Sequence, residues 1–296
     1  MINPLVSIVV VTYNSGKTVV ETLDSIASQT YRNIQLIISD DGSIDNTIEV
    51  CQAWIENNRS RFVDTCLITV EHNTGICANL NRAKKYVKGV WYKGIAGDDI
   101  LLPHCLEDNL EFVFNNPQAK IVVSYPKVYI NEFKEENLTD RLPYPDGFFN
   151  QDASTQLKKI AYGNFIYTPT MFYHSDITNS IQFDEGYYFE DWVFYINVLK
   201  KGYKIYLLEK ETVGYRKSSA SMQRPINGQI FNFKMQEDVY RIKRDICFPY
   251  LPFRYRIRSV VKYNVYKYFE KTGKNNMSYI NSYNRIINIM KALRLF

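Results

Sequence analysis

Runs of β-branched and other apolar residues alternate with helix-patterned segments through the first hundred residues of the chain. The first run, VSIVVVTYN at 6–14, is continuously apolar, which is typical of a strand that is covered on both faces. The later predicted strands are IQLIISDDGS, LITVEHN and WYKGIAGDD, with helical segments between them. This β-α-β-α order predicts a mostly parallel sheet with right-handed crossover connections.

The chain is long enough to bury a substantial core, because it has 296 residues and a hydrophobic content of 46%. Its five cysteines form no CxxC pair and no metal-ligand spacing with the three histidines, so we expect free thiols in a reducing compartment. The segment MINPLVSIVVVTYNSGK has no basic region before an apolar run that is too short for a signal peptide or a membrane span. We therefore predict a cytoplasmic protein without a transmembrane helix.

Polar side chains follow each of the four predicted strands, at the point where the strand ends. They are Tyr13 and Asn14, Asp40 and Asp41, Asn73, and Asp98 and Asp99. Because ligands of open α/β sheets bind beyond the carboxyl ends of the strands, we expect these side chains to share one rim. The loop after the first strand lacks the glycine patterns of dinucleotide-binding and P-loop proteins. A divalent cation that bridges a diphosphate would explain two adjacent carboxylates, because it offsets their repulsion.

Five ordered segments carry a resemblance to a known family. They are SIVVVTYN, QLIISDDGSIDNT, EHNTGICANLNRAKK, GIAGDDILLP and YFEDWVFYINVLKKG. Together they resemble family 2 glycosyltransferases with the GT-A fold, over residues 4–222. The resemblance implies an α/β fold in which a mostly parallel sheet is flanked by helices. It divides the chain into a catalytic domain at 1–222, with a nucleotide-binding half at 1–100 and an acceptor-binding half at 101–222, and a C-terminal basic, aromatic helical extension at 223–296.

The resemblance also implies which residues bind a nucleotide-sugar donor. Tyr13 would stack on the base, Asp41 would hydrogen-bond uracil, and Asp98 would contact the ribose. Asp99 would ligate the Mn²⁺ or Mg²⁺ ion that holds the diphosphate. The other predicted donor contacts are Thr12, Asn14, Asn73, Arg216 and Lys217. The last two are expected to contact the diphosphate from a mobile loop.

Two residues depart from the family's metal-binding pattern. Ala96 stands where the fuller acidic motif has a carboxylate, a change that many members tolerate. Ser218, in GYRKSSASM, stands where a histidine often completes the shell of the metal. The chain therefore offers fewer metal ligands than the full pattern.

The predicted catalytic and acceptor-binding residues rest on the same resemblance. Asp191, in the segment FEDW, matches the catalytic base, and Glu190 stands beside it. The candidate acceptor contacts are Tyr167, Thr168, Thr170 and Trp192. A buried strand with alternating faces is the competing explanation for the segment that includes the first three.

These assignments imply an inverting, metal-dependent hexosyltransferase. A carboxylate would deprotonate an acceptor hydroxyl, and a single displacement at the anomeric carbon would release the nucleoside diphosphate. The sequence has no Q-x-x-R-W element, which processive polymerases of the family carry, so we expect transfer of one sugar per encounter. The predicted donor is a UDP-sugar. The predicted acceptor is a glycan, or a glycan linked to undecaprenyl diphosphate, in the synthesis of bacterial O-antigen or capsule.

Each motif also has an alternative explanation. The acidic pairs suit turns and helix N-termini, where carboxylates cap backbone N–H groups or favour the helix dipole. A sugar-phosphate nucleotidyltransferase would share the nucleotide-binding layer, but it needs a glycine-rich, basic loop where this chain has TYNSGKT. A non-catalytic nucleotide-binding or glycan-binding module would keep Tyr13 and Asp41 and dispense with Asp191.

The C-terminal segment differs in charge from the rest of the chain. From Arg241 onward it has 13 Lys and Arg residues against two acidic residues, while the whole chain has a net charge of +5. Apolar side chains recur there at helical spacing, at Tyr279, Ile280, Tyr283, Ile286, Ile287 and Met290. The segment is therefore either a pair of helices packed on the catalytic domain or a peripheral anchor that binds anionic lipid at the inner face of the membrane. We predict no nucleic-acid partner, because no recognised motif accompanies the charge.

Overall fold

The computed structural model describes residues 3–217 and 228–294. Within these residues one sheet contains nine strands, which are β1 (Val6–Thr12), β2 (Ile34–Asp40), β3 (Asp64–Ile68), β4 (Trp91–Ala96), β5 (Ile100–Leu101), β6 (Ile121–Ile130), β7 (Leu138–Thr139), β8 (Phe172–His174) and β9 (Ile205–Lys217). The α-helices of the same residues are α1 (Val19–Ala27), α2 (Thr47–Asn58), α3 (Ile76–Lys84), α4 (Cys105–Asn115), α5 (Ala153–Ile160), α6 (Ser175–Ser180), α7 (Glu190–Lys200), α8 (Phe233–Ile242), α9 (Phe253–Lys271) and α10 (Ile280–Ala292).

The sheet has a parallel half and a mixed half. Its strand order is β3-β2-β1-β4-β8-β6-β9-β5, with β7 paired to β6. Strands β3, β2, β1 and β4 are parallel, as the sequence predicts. Strand β8 runs antiparallel to both β4 and β6, and β6 and β9 are parallel to each other. The α/β class with flanking helices is confirmed, and the antiparallel strands belong to the half that follows β4.

The third strand lies earlier in the chain than the sequence pattern indicates. The predicted segment LITVEHN spans 67–73, whereas β3 spans Asp64–Ile68. Its register against β2 runs from Gln35 paired with Asp64 to Ser39 paired with Ile68. Because β2 ends one residue after this last pair, β3 has no further partner on that side, and the chain beyond it forms a loop.

The continuous apolar run of β1 is explained by cores on both faces of the sheet. Ile8 and Val10 belong to one buried cluster, together with Leu23 of α1. Val9 points to the opposite face and belongs to a second cluster with Phe194 of α7. All five side chains are fully buried. A strand covered in this way has no polar face, which is why no alternation is visible in its sequence.

The C-terminal segment forms helices that pack against the rest of the chain. Ile242, Cys247 and Leu251 belong to the same buried cluster as α7. A separate small cluster contains Phe231 and Phe269, against which residues of α10 pack. In the described part of the chain, no helix combines the length and the apolar character needed to span a bilayer. The C-terminal helices predicted from the sequence are therefore present.

Candidate active site

The ends of β1, β2 and β4 are joined into one rim by backbone and side-chain hydrogen bonds. Asp41 N donates to Thr12 O at 3.0 Å, and Gly97 N donates to Val11 O at 3.0 Å. The side chain of Thr12 is buried, and its Oγ1 donates to Asp40 Oδ2 at 2.8 Å. Thr12, which the sequence analysis predicts to contact the nucleotide-sugar, thus holds the ends of β1 and β2 together.

The β2 pair, Asp40 and Asp41, is buried and fully hydrogen-bonded. Asp40 also accepts hydrogen bonds from Ser43 N at 2.8 Å and Ser43 Oγ at 2.5 Å. Asp41 accepts from Thr74 N at 3.1 Å and Thr74 Oγ1 at 2.5 Å, and from Gly75 N at 2.7 Å. Arg82 of α3 provides the fourth partner of Asp41, because Arg82 Nη2 lies 3.2 Å from Asp41 Oδ1.

Asp41 therefore accepts four hydrogen bonds, which is about the number that one carboxylate can accept. In this arrangement Asp41 holds the loop between β3 and α3 against the end of β2. The close approach of this loop to the segment after β2 also requires glycine at position 42, which has a φ of 74°. A Cβ atom there would lie 2.7 Å from the carbonyl carbon of His72.

The predicted base-stacking residue lies open at this rim. The ring of Tyr13 is 46% exposed. The next residue, Asn14, has a φ of 51°, and its Oδ1 accepts a hydrogen bond from Ile44 N at 2.9 Å. Asn73 is exposed, and its Oδ1 accepts from Gly75 N at 3.0 Å. The loops that carry Tyr13 and Asn73 are therefore fixed by their neighbours while the Tyr13 ring remains accessible.

The β4 pair, Asp98 and Asp99, has few hydrogen-bond donors. Asp99 is 2% exposed, and its Oδ1 accepts one hydrogen bond, from Arg216 N at 2.8 Å. Within the described residues, neither Asp99 Oδ2 nor the carboxylate of Asp98 accepts a hydrogen bond. Burial raises the pKa of both groups, and the charge of Asp98 raises the pKa of Asp99 further. The pair is thus short of hydrogen-bond donors, and the nearby charges of Arg216 and Lys93 offset the rise in the pKa of Asp99 only in part.

Arg216 lies in β9 and not on a loop, which corrects the sequence-based expectation for its location. Its Nε donates to Asp98 O at 2.8 Å, and its Nη1 donates to Asn131 O at 2.6 Å. Its Nη2 pairs with Glu21, and the guanidinium group stacks 4.2 Å from the ring centre of Phe133. These contacts hold Arg216 against the backbone of the β4 pair. Lys217 is the last residue of β9.

Lys93 is a fully buried cation below the β4 pair that the sequence analysis did not select. Its Nζ donates to Pro169 O at 2.5 Å and to Met171 O at 3.3 Å. Burial lowers the pKa of Lys93, and the charge of Asp99 opposes this effect. The sequence feature that could have identified Lys93 is the presence of a lysine inside the otherwise apolar strand WYKGIA. Its hydrogen bonds connect β4 to the segment that carries Thr168.

The β4 pair suits a hard divalent cation that is shared with a diphosphate. No group of three His, Cys, Asp or Glu side chains within residues 3–217 and 228–294 could hold a metal by itself. Mg²⁺ is commonly held by one or two carboxylates, with substrate phosphates and water as the other ligands. Asp98 and Asp99 can supply that number, and a cation would relieve the repulsion that raises the pKa of Asp99. The position of Ser218 lies outside the described residues.

The α7 pair, Glu190 and Asp191, occupies the first turn of α7. Asp191 Oδ2 accepts hydrogen bonds from Asn164 Nδ2 at 2.8 Å and Thr168 Oγ1 at 2.6 Å, and Oδ1 accepts from Trp192 N at 2.6 Å. Burial raises the pKa of Asp191, and these hydrogen bonds oppose that shift. Glu190 accepts no hydrogen bond within the described residues. Burial, and next the charge of Asp191, raise its pKa to about 8.

The structure separates the four predicted acceptor residues into two groups. Thr168 hydrogen-bonds Asp191, and the neighbouring Tyr167 is half-buried, with its hydroxyl accepting from Leu142 N at 2.7 Å. Thr170 is fully buried and donates to Tyr167 O at 2.7 Å. Trp192 is 3% exposed, and its Nε1 donates to a backbone carbonyl of α5 at 2.8 Å. Only Tyr167 and Thr168 therefore lie where an acceptor could reach them.

Tyr215 lies between the β4 pair and the α7 pair, and the sequence analysis did not select it. Burial raises its pKa to about 12, and the charges of Asp99, Asp98 and Asp191 act in the same direction. Its ring centre is 6.1 Å from that of Tyr167. The next residue, Arg216, donates to Asp99, and Tyr167 precedes Thr168, which donates to Asp191, so the two carboxylate pairs face a common site. In the sequence, the feature that could have pointed to Tyr215 was its position in GYRKSS, next to Arg216.

The N-terminus of α7 is held by the C-terminal helix α8. Asp238 of α8 is 5% exposed and accepts hydrogen bonds from Tyr188 N at 2.8 Å and Phe189 N at 3.2 Å. Arg241 Nη2 donates to Gly186 O at 3.0 Å. Asp238 is therefore a positioning residue for the α7 pair. It lies some fifty positions away in sequence, so no local pattern could reveal it.

Comparisons with known proteins agree with this fold. A family model described as "Glycosyl transferase family 2" matches residues 7–176 of the chain. The chain therefore belongs to glycosyl transferase family 2, and it is a glycosyltransferase. The family resemblance inferred from five motifs is confirmed.

Two curated relatives cover most of the chain. Glycosyltransferase GlyG of Streptococcus pneumoniae is 25% identical over 228 residues, which cover 74% of this chain and 73% of GlyG. WfaP of Escherichia coli is 28% identical over 203 residues, which cover 68% of this chain and 72% of WfaP. WfaP is described as a UDP-Glc:alpha-D-GlcNAc-diphosphoundecaprenol beta-1,3-glucosyltransferase.

Solved structures confirm the fold class. The structure of residues 1–349 of S. aureus TarS with UDP-GlcNAc matches with a TM-score of 0.58 and 19% identity, covering 90% of this chain and 73% of that chain. A mannosyltransferase, PcManGT from Pyrobaculum calidifontis with GDP-Man and Mn²⁺, matches with a TM-score of 0.55 and 17% identity, covering 84% of this chain and 63% of that chain. The chain spans 42% of the longer TarS chain. The fold is therefore that of GT-A glycosyltransferases.

Proposed function

We propose that this glycosyltransferase transfers one sugar from a UDP-sugar to a hydroxyl group of a lipid-linked glycan, with inversion and with a divalent cation. The observation that carries the proposal is that two carboxylate pairs lie near Tyr215, one bonded to the neighbouring Arg216 and the other to Thr168, which follows Tyr167. The first pair accepts a single hydrogen bond within the described residues and suits a cation with a diphosphate. The other contains a carboxylate, Asp191, that is held beside the half-buried Tyr167 and Thr168.

The donor would bind along the rim formed by β1, β2 and β4. The exposed ring of Tyr13 offers a stacking surface for the base. Asp41 supports this rim by holding the loop that carries Asn73. A hydrogen bond from a uracil N–H group to Asp41 would replace one of the four hydrogen bonds that Asp41 now accepts. Uridine is favoured by the relatives, because TarS is solved with UDP-GlcNAc and WfaP is described as using UDP-Glc.

In the proposed reaction the acceptor oxygen forms a new bond to the anomeric carbon while the bond from that carbon to the diphosphate oxygen breaks. Asp191 removes the proton of the acceptor hydroxyl, and UDP leaves with the electron pair of the broken bond. Asp98 and Asp99 would hold Mn²⁺ or Mg²⁺, which would neutralise charge that develops on the departing diphosphate. A single displacement inverts the anomeric centre.

Asp191 is favoured over Glu190 as the base. Hydrogen bonds from Asn164 and Thr168 fix the orientation of Asp191 and stabilise its ionised form. Glu190 has no such donors in the described residues, and its pKa of about 8 keeps it protonated near neutral pH. A protonated Glu190 also limits the repulsion that Asp191 experiences when it is ionised.

We also propose the setting. A lipid-linked acceptor fits the description of WfaP, which acts on a diphosphoundecaprenol glycan. Synthesis of a bacterial surface polysaccharide, with the enzyme at the inner face of the cell membrane, follows from such an acceptor. Arginine, lysine and aromatic side chains of α9 and α10 would attract it to anionic lipid. Equal co-sedimentation with phosphatidylglycerol and phosphatidylcholine vesicles at low salt would contradict this attraction.

The decisive experiment measures the products and the role of Asp191. With UDP-sugar, Mn²⁺ and a GlcNAc-diphosphate-lipid acceptor, we expect release of UDP without pyrophosphate. Asp191→Asn should lower turnover by about 100-fold or more while UDP binding in calorimetry is retained, because only proton removal is lost. Asp146→Asn, on an exposed loop, is the control. Turnover of Asp191→Asn equal to that of the control would remove Asp191 from the mechanism.

A further inference from the structure

The proposed base, Asp191, accepts both hydrogen bonds to its Oδ2 atom from one irregular stretch of the chain. Asn164 Nδ2 donates at 2.8 Å and Thr168 Oγ1 donates at 2.6 Å. Both donors belong to residues 164–171, between α5 and β8, which we call the 164–171 segment. It contains no strand, and its one regular element is a short 3₁₀ turn. The orientation of Asp191 therefore depends on how this segment is held.

Strand pairing does not hold the 164–171 segment in place. The pairing of β8 with β4, and likewise with β6, begins at Phe172, the first residue after the segment. Within the segment, both the backbone N and the Oγ1 of Thr170 donate to Tyr167 O, at 3.0 and 2.7 Å. These bonds close a local turn, but they do not attach the turn to the sheet. A contact from outside the segment is needed to fix its position.

The side chain of Lys93 in β4 attaches the segment to the sheet. It is fully buried, and its Nζ donates to Pro169 O at 2.5 Å and to Met171 O at 3.3 Å. The backbone of Lys93 is fixed on both sides, because it pairs with Ile8 of β1 and with Phe172 of β8. Since pairing between β4 and β8 ends at Phe172, the Lys93 side chain continues this connection beyond the end of the ladder.

A cation at this position is costly, and its hydrogen bonds go to the segment. Burial lowers the pKa of Lys93, and the neighbouring Cys105 and Asp99 oppose that shift. An apolar side chain would avoid the cost of burying a charge, but it could not donate to the two carbonyl groups. Hydrogen bonds from a charged donor are stronger than those from a neutral one. Among the described residues Lys93 hydrogen-bonds only these two carbonyl groups and forms no ion pair with Asp99.

We propose that Lys93 is a positioning residue for Asp191, which acts by anchoring the 164–171 segment. It fixes the carbonyl groups on either side of Thr170, the turn thereby places Thr168, and Thr168 orients the carboxylate of Asp191. Because the β4 pair follows the same strand, β4 sets the position of the cation site and of the base relative to each other. The inference rests on the proposed role of Asp191 as the base, and it adds the element that aligns this base with the donor.

The first test compares two buried lysines, each changed to methionine. The matched control is Lys84 of α3, which is also buried and whose Nζ also donates to a backbone carbonyl group, that of Ile181. We expect Lys93→Met to lower kcat about tenfold or more, because a misplacement of about 1 Å can cost about 100-fold in rate. The Kd for UDP in Mn²⁺ should change by less than about twofold, because donor binding does not depend on the base. Lys84→Met should keep a kcat close to that of the wild type.

Two outcomes of this comparison would overturn the proposal. The first is an equal kcat for Lys93→Met and Lys84→Met, since the effect would then follow from the loss of any buried lysine or would be absent. The second is a loss of UDP affinity in Lys93→Met, which would mean that Lys93 acts on the β4 pair and not on the base.

A double-mutant cycle tests whether Lys93 acts through Thr168. Thr168→Val removes the hydroxyl group that donates to Asp191 Oδ2. If Lys93 acts through this group, the kcat of the double variant should equal that of the slower single variant to within about threefold, because coupled residues are not additive. Multiplication of the two single effects would overturn the proposal.

Lys93→Gln provides a second variant in case Lys93→Met fails to fold, because its amide is uncharged but can still donate a hydrogen bond. Its kcat should also fall while UDP affinity is retained, and a kcat equal to that of the wild type would overturn the proposal. Asp191→Asn in the same assay separates this inference from the proposed function. If Asp191→Asn loses turnover and Lys93→Met keeps it, only the anchoring role is wrong. If Asp191→Asn keeps its turnover, the proposed function fails, and this inference fails with it.

Discussion

Two Asp-Asp pairs end the strands that flank β1 on either side, and they look alike in sequence. The β2 pair is surrounded by donors, and Asp41 alone accepts four hydrogen bonds. The β4 pair accepts a single hydrogen bond within the described residues, from Arg216 N to Asp99. Burial is comparable for Asp41 and Asp99, at 3% and 2% exposure. The difference lies in the number of donors.

This comparison distinguishes a carboxylate that stabilises the loops of the site from one that is available to bind a ligand. A buried carboxylate whose oxygens are all hydrogen-bonded stabilises the loops around it. A buried carboxylate with few donors keeps a raised pKa and is destabilising until a cation compensates its charge. We therefore assign loop support to the β2 pair and cation binding to the β4 pair, and three substitutions test this contrast.

The largest effect is expected at the β4 pair. Asp99→Asn should lower turnover by about 100-fold or more, since a bound metal contributes several kcal/mol of transition-state stabilisation. UDP binding in Mn²⁺ should weaken in calorimetry, while uridine binding changes little because uridine has no diphosphate. Thermal unfolding without metal should show an unchanged or higher Tm. Equal losses for UDP and uridine would indicate a folding defect.

A smaller, structural effect is expected at the β2 pair. Asp41→Ala removes the acceptor of two backbone N–H groups and leaves Arg82 without its ion pair, which should cost about 1–3 kcal/mol of unfolding free energy. Tm should therefore fall by several degrees in a thermal melt, and Asp146→Ala serves as the control. If UDP binding is lost while Tm is unchanged, Asp41 contacts the nucleotide directly and the contrast between the pairs disappears.

The smallest effect is expected from Glu190→Gln, which extends the contrast to the α7 pair. Because its pKa is raised to about 8, folded Glu190 retains a proton that the unfolded chain loses near pH 4.5. Its contribution to stability is therefore lost as pH rises from about 5 to 8. At pH 8 the variant should have a higher Tm than the wild type, with no difference at pH 4. The exposed Glu185→Gln is the control, and parallel Tm profiles would contradict a raised pKa.

Much of the fold could be predicted because its signals are local. The continuous apolar run of β1 indicated a strand covered on both faces, and the alternation of strands and helices indicated parallel pairing. The limits of β3 could not be found in this way, since its length is set by where β2 ends. The antiparallel position of β8 between β4 and β6 also depends on pairing between distant segments.

Candidate site residues could be selected where they follow strands, but their surroundings could not be foreseen. Asp41 and Asp99 are each the second aspartate of a pair at the end of a strand, and only the folded chain shows that Asp41 already accepts four hydrogen bonds. Trp192 follows the predicted base in sequence, yet the helical turn directs its ring into the core. Tyr215 and Asp238 reach the site from other elements, so a motif centred on one strand or helix does not include them.

The hydrogen bonds that Asp238 accepts from the start of α7 also have a consequence for the order in which the protein becomes active during synthesis. A ribosome produces Asp191 before Asp238, and until α8 emerges the N–H groups of Tyr188 and Phe189 lack this acceptor. The donor side of the sheet can form earlier, because β1 to β4 pair among themselves. A nascent chain would therefore acquire a place for the nucleotide before it acquires an aligned base, which delays sugar transfer until the C-terminal helices have folded.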